Sequence, residues 1–171
     1  MVKGFGPVEA LLRKRGKFIG SSSQHDVYYT DMTKYKTYRG SFVLRVRDTG
    51  KSTFLTYKGH VRPGVYDEHE TGIDDADAAN MMLLKSGLER FVEIRKNRKT
   101  YRFNGAEVNL DAVKGLGNFV EIEIISKQNA DARLGKVVKQ LGLEHEKTTR
   151  QGYVAQLLKK TNSKYSKYMK Y

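Results

Sequence analysis

The sequence predicts an α+β fold in which antiparallel strands form a meander. Apolar and charged residues alternate with period two in several segments, most clearly in Phe119-Val-Glu-Ile-Glu-Ile-Ile125. Two pairs of such segments are joined by Asp48-Thr-Gly-Lys51 and by Asn104-Gly105, which both have the chemistry of hairpin turns. The helix-like segments, with apolar residues at three- and four-residue spacing, are fewer.

Taken in order, residues 7–16 predict a short helix. Pro7 suits a first-turn position, Val8, Leu11 and Leu12 make an apolar stripe, and Gly16 ends it. Residues 25–30 predict a short strand, and 31–40 a polar connection without a clear period. Residues 41–48 and 52–59 predict a hairpin around Asp48–Lys51. Pro63-Gly64 marks a turn into a strand at 65–72. Asp74 to Gly87 predicts a helix, with acidic residues crowding its first turn and a glycine at its C-terminal end. Residues 90–103 and 106–113 predict the second hairpin, and Leu116-Gly-Asn118 turns into a strand at 119–126. Asn129 is expected to cap a helix at 130–141, with Leu134, Val137, Val138 and Leu141 on one face. A last helix covers about 153–160. A chain of 171 residues without internal repeats predicts one domain over 1–160, followed by a basic tyrosine- and lysine-bearing tail over 161–171.

Composition narrows the partners. The net charge is +13, which favours anionic ligands such as nucleotides, polyphosphate or nucleic acid without choosing among them. Five of the lysines fall in 159–171, where no acid stands. There is no cysteine, which excludes disulfides and thiolate chemistry and makes a cytoplasmic location the expectation. No apolar run approaches the roughly 18–20 residues of a membrane span, and the N-terminus lacks the apolar core of a signal peptide. Gly50-Lys51-Ser52 imitates the end of a P-loop, but Arg45 stands where its first glycine belongs and the segment joins two strands. The four histidines have no zinc-ligand spacing.

The strands carry charges in pairs at i and i+2, which places each pair on one face. Glu121 and Glu123 oppose Val120, Ile122 and Ile124. Arg45 with Arg47, Glu68 with Glu70, and Lys96 with Arg98 form similar pairs, and His69 falls on the face opposite the two glutamates beside it. A cavity lined by both signs suits a multiply charged anion held with a metal ion. Arginine forks grip phosphate oxygens and lysine adds a point charge. Magnesium and manganese take carboxylate and phosphate oxygens together. A closed barrel of about eight strands can enclose one small ligand.

Leu55-Thr-Tyr-Lys-Gly59, Lys96-Asn-Arg98 followed by Tyr101, and Glu107-Val-Asn-Leu-Asp-Ala-Val-Lys-Gly-Leu-Gly-Asn-Phe-Val-Glu-Ile-Glu123 resemble the CYTH family, the triphosphate tunnel metalloenzymes. The resemblance runs from about residue 7 to residue 158 and includes Asp26-Val-Tyr-Tyr29 and Gly152-Tyr-Val-Ala-Gln-Leu-Leu158. Family members include class IV adenylyl cyclases, thiamine triphosphatases and inorganic tripolyphosphatases. The resemblance implies an eight-stranded antiparallel tunnel β-barrel with helices packed outside. Arg45, Arg47, Lys58, Lys96 and Arg98 match the family's triphosphate-binding positions. Glu121 and Glu123 match its acidic pair for a divalent cation, Mg2+ or Mn2+. Glu68 and Glu70 match a second acidic pair directed into the tunnel, and Asp111 a further acidic position. No catalytic residue is assigned.

Two departures stand out. The family's N-terminal Glu-x-Glu-x-Lys strand has no counterpart here, since the alignment puts it upstream of Met1 and Lys3 is a poor substitute. Tyr66 stands where members often have arginine. A barrel short of one strand exposes two edges, which invites pairing with a second copy as a homodimer. The expected activity is metal-dependent processing of a triphosphate (ATP, tripolyphosphate or thiamine triphosphate), by hydrolysis or, on ATP, by cyclisation. The alternative is a non-catalytic module that binds polyphosphate or RNA through the basic strands and tail.

Overall fold

The computed structural model describes residues 1–31, 33, 41–62, 65–124, 129–149, 151–161 and 163–164. The side chains of His60, Arg62, Val65 and Tyr66 lie outside that description, as do most of 31–40, the turn at Pro63-Gly64 and most of the tail. The order is α1 (Gly6–Arg15), β1 (Lys17–Thr30), β2 (Phe42–Asp48), β3 (Thr53–Arg62), β4 (Val65–Ile73), α2 (Ala76–Lys85), β5 (Glu89–Phe103), β6 (Ala106–Val113), β7 (Gly117–Ile124), α3 (Ala130–Gln140) and α4 (Tyr153–Lys160). The fold is α+β, with seven strands in the sheet order β4-β3-β2-β1-β5-β6-β7. β2 pairs antiparallel with β1 and with β3, β3 with β4, and β6 with β5 and with β7. No helix among the described residues is long and apolar enough to cross a membrane.

The chain divides into two compact units, 1–23 with 96–149 and 24–95 with 150–171, and β1 and β5 each contribute a half to either. In the first unit the apolar face of β5, β6 and β7 is covered by α1 and α3. Tyr101, Phe103, Val108 and Leu110 from the sheet cluster with Val8 and Leu12 of α1 and with Val137 and Leu141 at the α3 end. Val120, Ile122 and Ile124 pack against that cluster, as the period-two alternation in β7 requires. Burying a side chain such as Leu12 stabilises by roughly 1.5–3 kcal/mol. Glu9 fastens α1 to the sheet, accepting from Lys99 Nζ at 2.9 Å and from Arg13 at 2.8 Å.

In the second unit the apolar face of β1 and β2 carries Val27, Tyr29 and Val46. Leu44, Leu55, Ile73 and the α2 residues Ala76, Ala79 and Leu83 pack against them. The Tyr29 hydroxyl donates to Asn80 of α2 at 2.9 Å. Asp75 caps α2, its side chain accepting from the Ala78 N–H at 2.9 Å. At the far end Gly87, with φ of 84°, lets the Leu88 N–H reach the Leu83 carbonyl at 3.2 Å, the 6→1 closure of a Schellman motif.

Two local expectations are corrected. β1 begins at Lys17, not near residue 25, because its first half has no apolar alternation to announce it. Asn129 makes no side-chain cap; it sits in the left-handed region with φ of 52°, so its contribution is to the backbone turn that starts α3. The Asn104-Gly105 turn is as expected, with φ of 49° and 75°, the doubly left-handed geometry of a type I′ hairpin.

Candidate functional site

Strand register decides which charges meet. In the second unit three successive rungs cross the sheet on the face opposite the apolar cluster. Asp26 lies opposite Arg47 and Tyr28 opposite Arg45. Arg47 lies opposite Phe54, Arg45 opposite Thr56 and Val43 opposite Lys58. Thr56 lies opposite Glu70 and Lys58 opposite Glu68. The i, i+2 pairs predicted in β2 and β4 therefore share one ionic face, and His69 lies on the other, its ring 6.2 Å from that of Tyr57.

Each cation on this face has a partner. Arg47 forks onto Asp26, with Nε and a terminal nitrogen each 2.6 Å from one carboxylate oxygen. Arg45 donates to Glu70 at 2.9 Å and to the Thr56 hydroxyl at 2.8 Å, and that hydroxyl donates on to Glu70 at 2.7 Å. Lys58 Nζ meets Glu68 at 2.8 Å. Arg45 is only 7% exposed, and among the described residues its buried Nε has no hydrogen-bond partner. The Tyr28 hydroxyl, 3.4 Å from Asp26, has its pKa raised by burial first and by the Asp26 charge second, so it stays protonated and donates.

The first unit repeats the pattern with different residues. Arg98 lies opposite Asp111 and Thr100 opposite Asn109. Asn109 lies opposite Glu121, and Glu107 opposite Glu123. Arg98 forks onto Asp111 at 2.7 and 2.6 Å, and its terminal nitrogen also meets Glu121. Lys96, nearly buried, stands 3.8 Å from the same aspartate. Thr100 donates to Asn109 at 2.7 Å. Asp111, expected among the metal ligands, is fully buried, and both of its oxygens accept from Arg98. Glu121 and Glu123 share the ionic face of β7, as expected.

Sequence reasoning assigned no role to Asp26, Tyr28 or Thr56. The alternation Asp26-Val-Tyr-Tyr-Thr30 contained the signal, since it sets Asp26, Tyr28 and Thr30 on one face of β1. Mg2+ and Mn2+ take hard oxygens, and Glu121 and Glu123 are carboxylates of the β7 ionic face. Among the described residues no three Asp, Glu, His or Cys side chains converge into a ligand cage. Magnesium is commonly held by one or two carboxylates together with phosphate oxygens. The β7 donor set fits an ion held in that shared way.

Seven antiparallel strands, helices covering the apolar faces and paired cations on the ionic faces together define a class of α+β sheet protein with ionic strand faces. The chain belongs to the CYTH domain family, whose model matches residues 4–153. A Methanocaldococcus jannaschii protein named "putative adenylate cyclase" is 29% identical over 156 residues, covering 86% of this chain and 88% of its own. The structure of a conserved hypothetical protein from Pyrococcus furiosus superposes with a TM-score of 0.77 at 27% identity, covering 88% of this chain and 92% of its own. A Hippeastrum protein, described as a cyclase in the same guarded words and as having a dominant triphosphatase activity, superposes with a TM-score of 0.67. It is 16% identical and covers 95% of this chain and 93% of its own.

Proposed function

We propose that this protein is a metal-dependent enzyme that binds and processes a triphosphate compound. The reaction is either triphosphate hydrolysis or cyclisation of ATP. The observation that carries this reading is the arginine and lysine array of the ionic strand faces. Within the second unit Arg45, Arg47 and Lys58 are the cations offered to phosphate oxygens, and within the first unit Lys96 and Arg98 are. Arginine forks suit those oxygens geometrically, and the phosphates compete there with the carboxylates that already pair these cations. Glu121 and Glu123 hold Mg2+ or Mn2+ jointly with the phosphates, with Glu68 and Glu70 as the second acidic pair. When bound, the ion supplies Lewis-acid polarisation of phosphoryl oxygens. Membership of the CYTH family and the names of its relatives support the same substrate class.

The test is incubation with ATP, tripolyphosphate and thiamine triphosphate, each with Mg2+ or Mn2+, followed by assays for free phosphate and cyclic AMP. Free phosphate from any of them supports hydrolysis, and cyclic AMP from ATP supports cyclisation. Neither product from any substrate, together with no tripolyphosphate-induced rise in melting temperature, overturns the reading.

A further inference from the structure

The cations of the ionic faces are held in two different ways, and the difference lies in their carboxylate partners. Arg47 and Arg98 fork onto Asp26 and Asp111, which are both 0% exposed. Each fork uses two short, charge-assisted hydrogen bonds that fix the guanidinium plane. The Asp26 lock is braced by the Tyr28 hydroxyl, and the Asp111 lock lies beside Lys96. Arg45 and Lys58 instead meet Glu70 and Glu68, whose side chains are 47% and 46% exposed. The second contact of Arg98, to Glu121, is likewise with a side chain 40% exposed. An exposed glutamate gives up such a contact readily, because water solvates it once released. A buried aspartate has no such alternative, so its fork stays closed.

We propose that Asp26 and Asp111 are positioning residues that hold Arg47 and Arg98 rigidly for a phosphate ligand. In contrast, Glu68, Glu70 and Glu121 are displaceable counter-ions that the incoming phosphates replace on Arg45, Lys58 and Arg98. This rests on the proposed triphosphate binding. It adds that anion entry is an exchange of an exposed carboxylate for a phosphate oxygen on each of these cations.

The two tiers make opposite predictions for the same change in charge. Removing any carboxylate from a cationic face adds one positive charge, which by electrostatics alone tightens anion binding. Glu70→Gln behaves that way, binding tripolyphosphate about twofold to fivefold more tightly without divalent metal, because an exposed competing pair is gone. Asp26→Asn weakens binding about tenfold despite its added positive charge, because Arg47 loses its fixed orientation. On an Arg47→Lys background, which has no fork to hold, Asp26→Asn costs little further affinity. Isothermal titration with tripolyphosphate measures all of these, well below each variant's melting temperature.

If Asp26→Asn binds more tightly than the unaltered protein, or costs the same with and without the arginine, the positioning role is wrong. If Glu70→Gln weakens binding, the exchange is wrong. Should Asp26→Asn not fold cooperatively, Asp111→Asn with and without Arg98→Lys decides the lock by the same criteria. Failure of the unaltered protein to bind tripolyphosphate at all counts against the proposed function, a result separate from either variant outcome.

Discussion

Replacing Arg98 by methionine tests whether the forks carry stability as well as orientation. The substitution keeps most of the side-chain volume and removes both hydrogen bonds to Asp111, at 2.7 and 2.6 Å. Asp111 is 0% exposed, so water cannot take over, and breaking a buried pair from one side typically costs about 3–5 kcal/mol. Lys96 Nζ remains 3.8 Å away, a separation worth about 4 kcal/mol of attraction at an effective dielectric of about 20. That attraction exists with or without Arg98, so it limits the damage without repairing it and places the loss near the lower end, about 3 kcal/mol. Glu121 loses the same arginine at little cost, because its exposed carboxylate is already hydrated. Adding Asp111→Asn to Arg98→Met removes the buried negative charge at nearly unchanged volume and recovers part of the loss. Urea denaturation of the unaltered protein, the single variant and the double variant measures both steps. A single variant less than 1 kcal/mol destabilised, or a double variant weaker than the single, would refute the reasoning that Asp111 is a buried charge dependent on Arg98.

Two further predictions concern the frame that carries the faces. The Glu9 carboxyl has its pKa lowered, chiefly by the hydrogen bond from Lys99 and then by that from Arg13. Its stabilisation is therefore complete above the ordinary carboxylate pKa and is lost as pH falls through the depressed folded value. Glu9→Gln should flatten that acid limb in denaturation curves recorded between neutral pH and about pH 3; an unchanged limb would sink the assignment. Gly105→Ala should destabilise by about 1 kcal/mol, because φ of 75° is open to glycine and strained for alanine, and a thermal melt unchanged by the substitution would count against the type I′ assignment.

Much of the architecture is legible in the chain because it is written in local periods. Alternation in 119–124 sorts Glu121 and Glu123 from Val120, Ile122 and Ile124. The turn chemistry of Asn104-Gly105 fixes the β5–β6 hairpin and hence its register. The pairs Arg45 with Arg47 and Glu68 with Glu70 are visible for the same reason, since a strand repeats every two residues whatever lies beside it. The first half of β1 is not legible, because Gly20-Ser-Ser-Ser23 has neither alternation nor strong strand propensity and is a strand through its neighbours in the sheet. Only the tertiary structure decided which carboxylate each cation holds. Arg47 finds Asp26 across 21 residues and Arg98 finds Asp111 across 13, through rungs that exist only once the strands pair in register. Burial then separates carboxylates that composition cannot tell apart. Asp26 and Asp111 lie under neighbouring side chains where a lone charge is prohibitive, while Glu68, Glu70 and Glu121 keep their hydration. Sequence supplies the type and spacing of the charges, and packing sets the dielectric around each one, which determines how strongly each ion pair interacts.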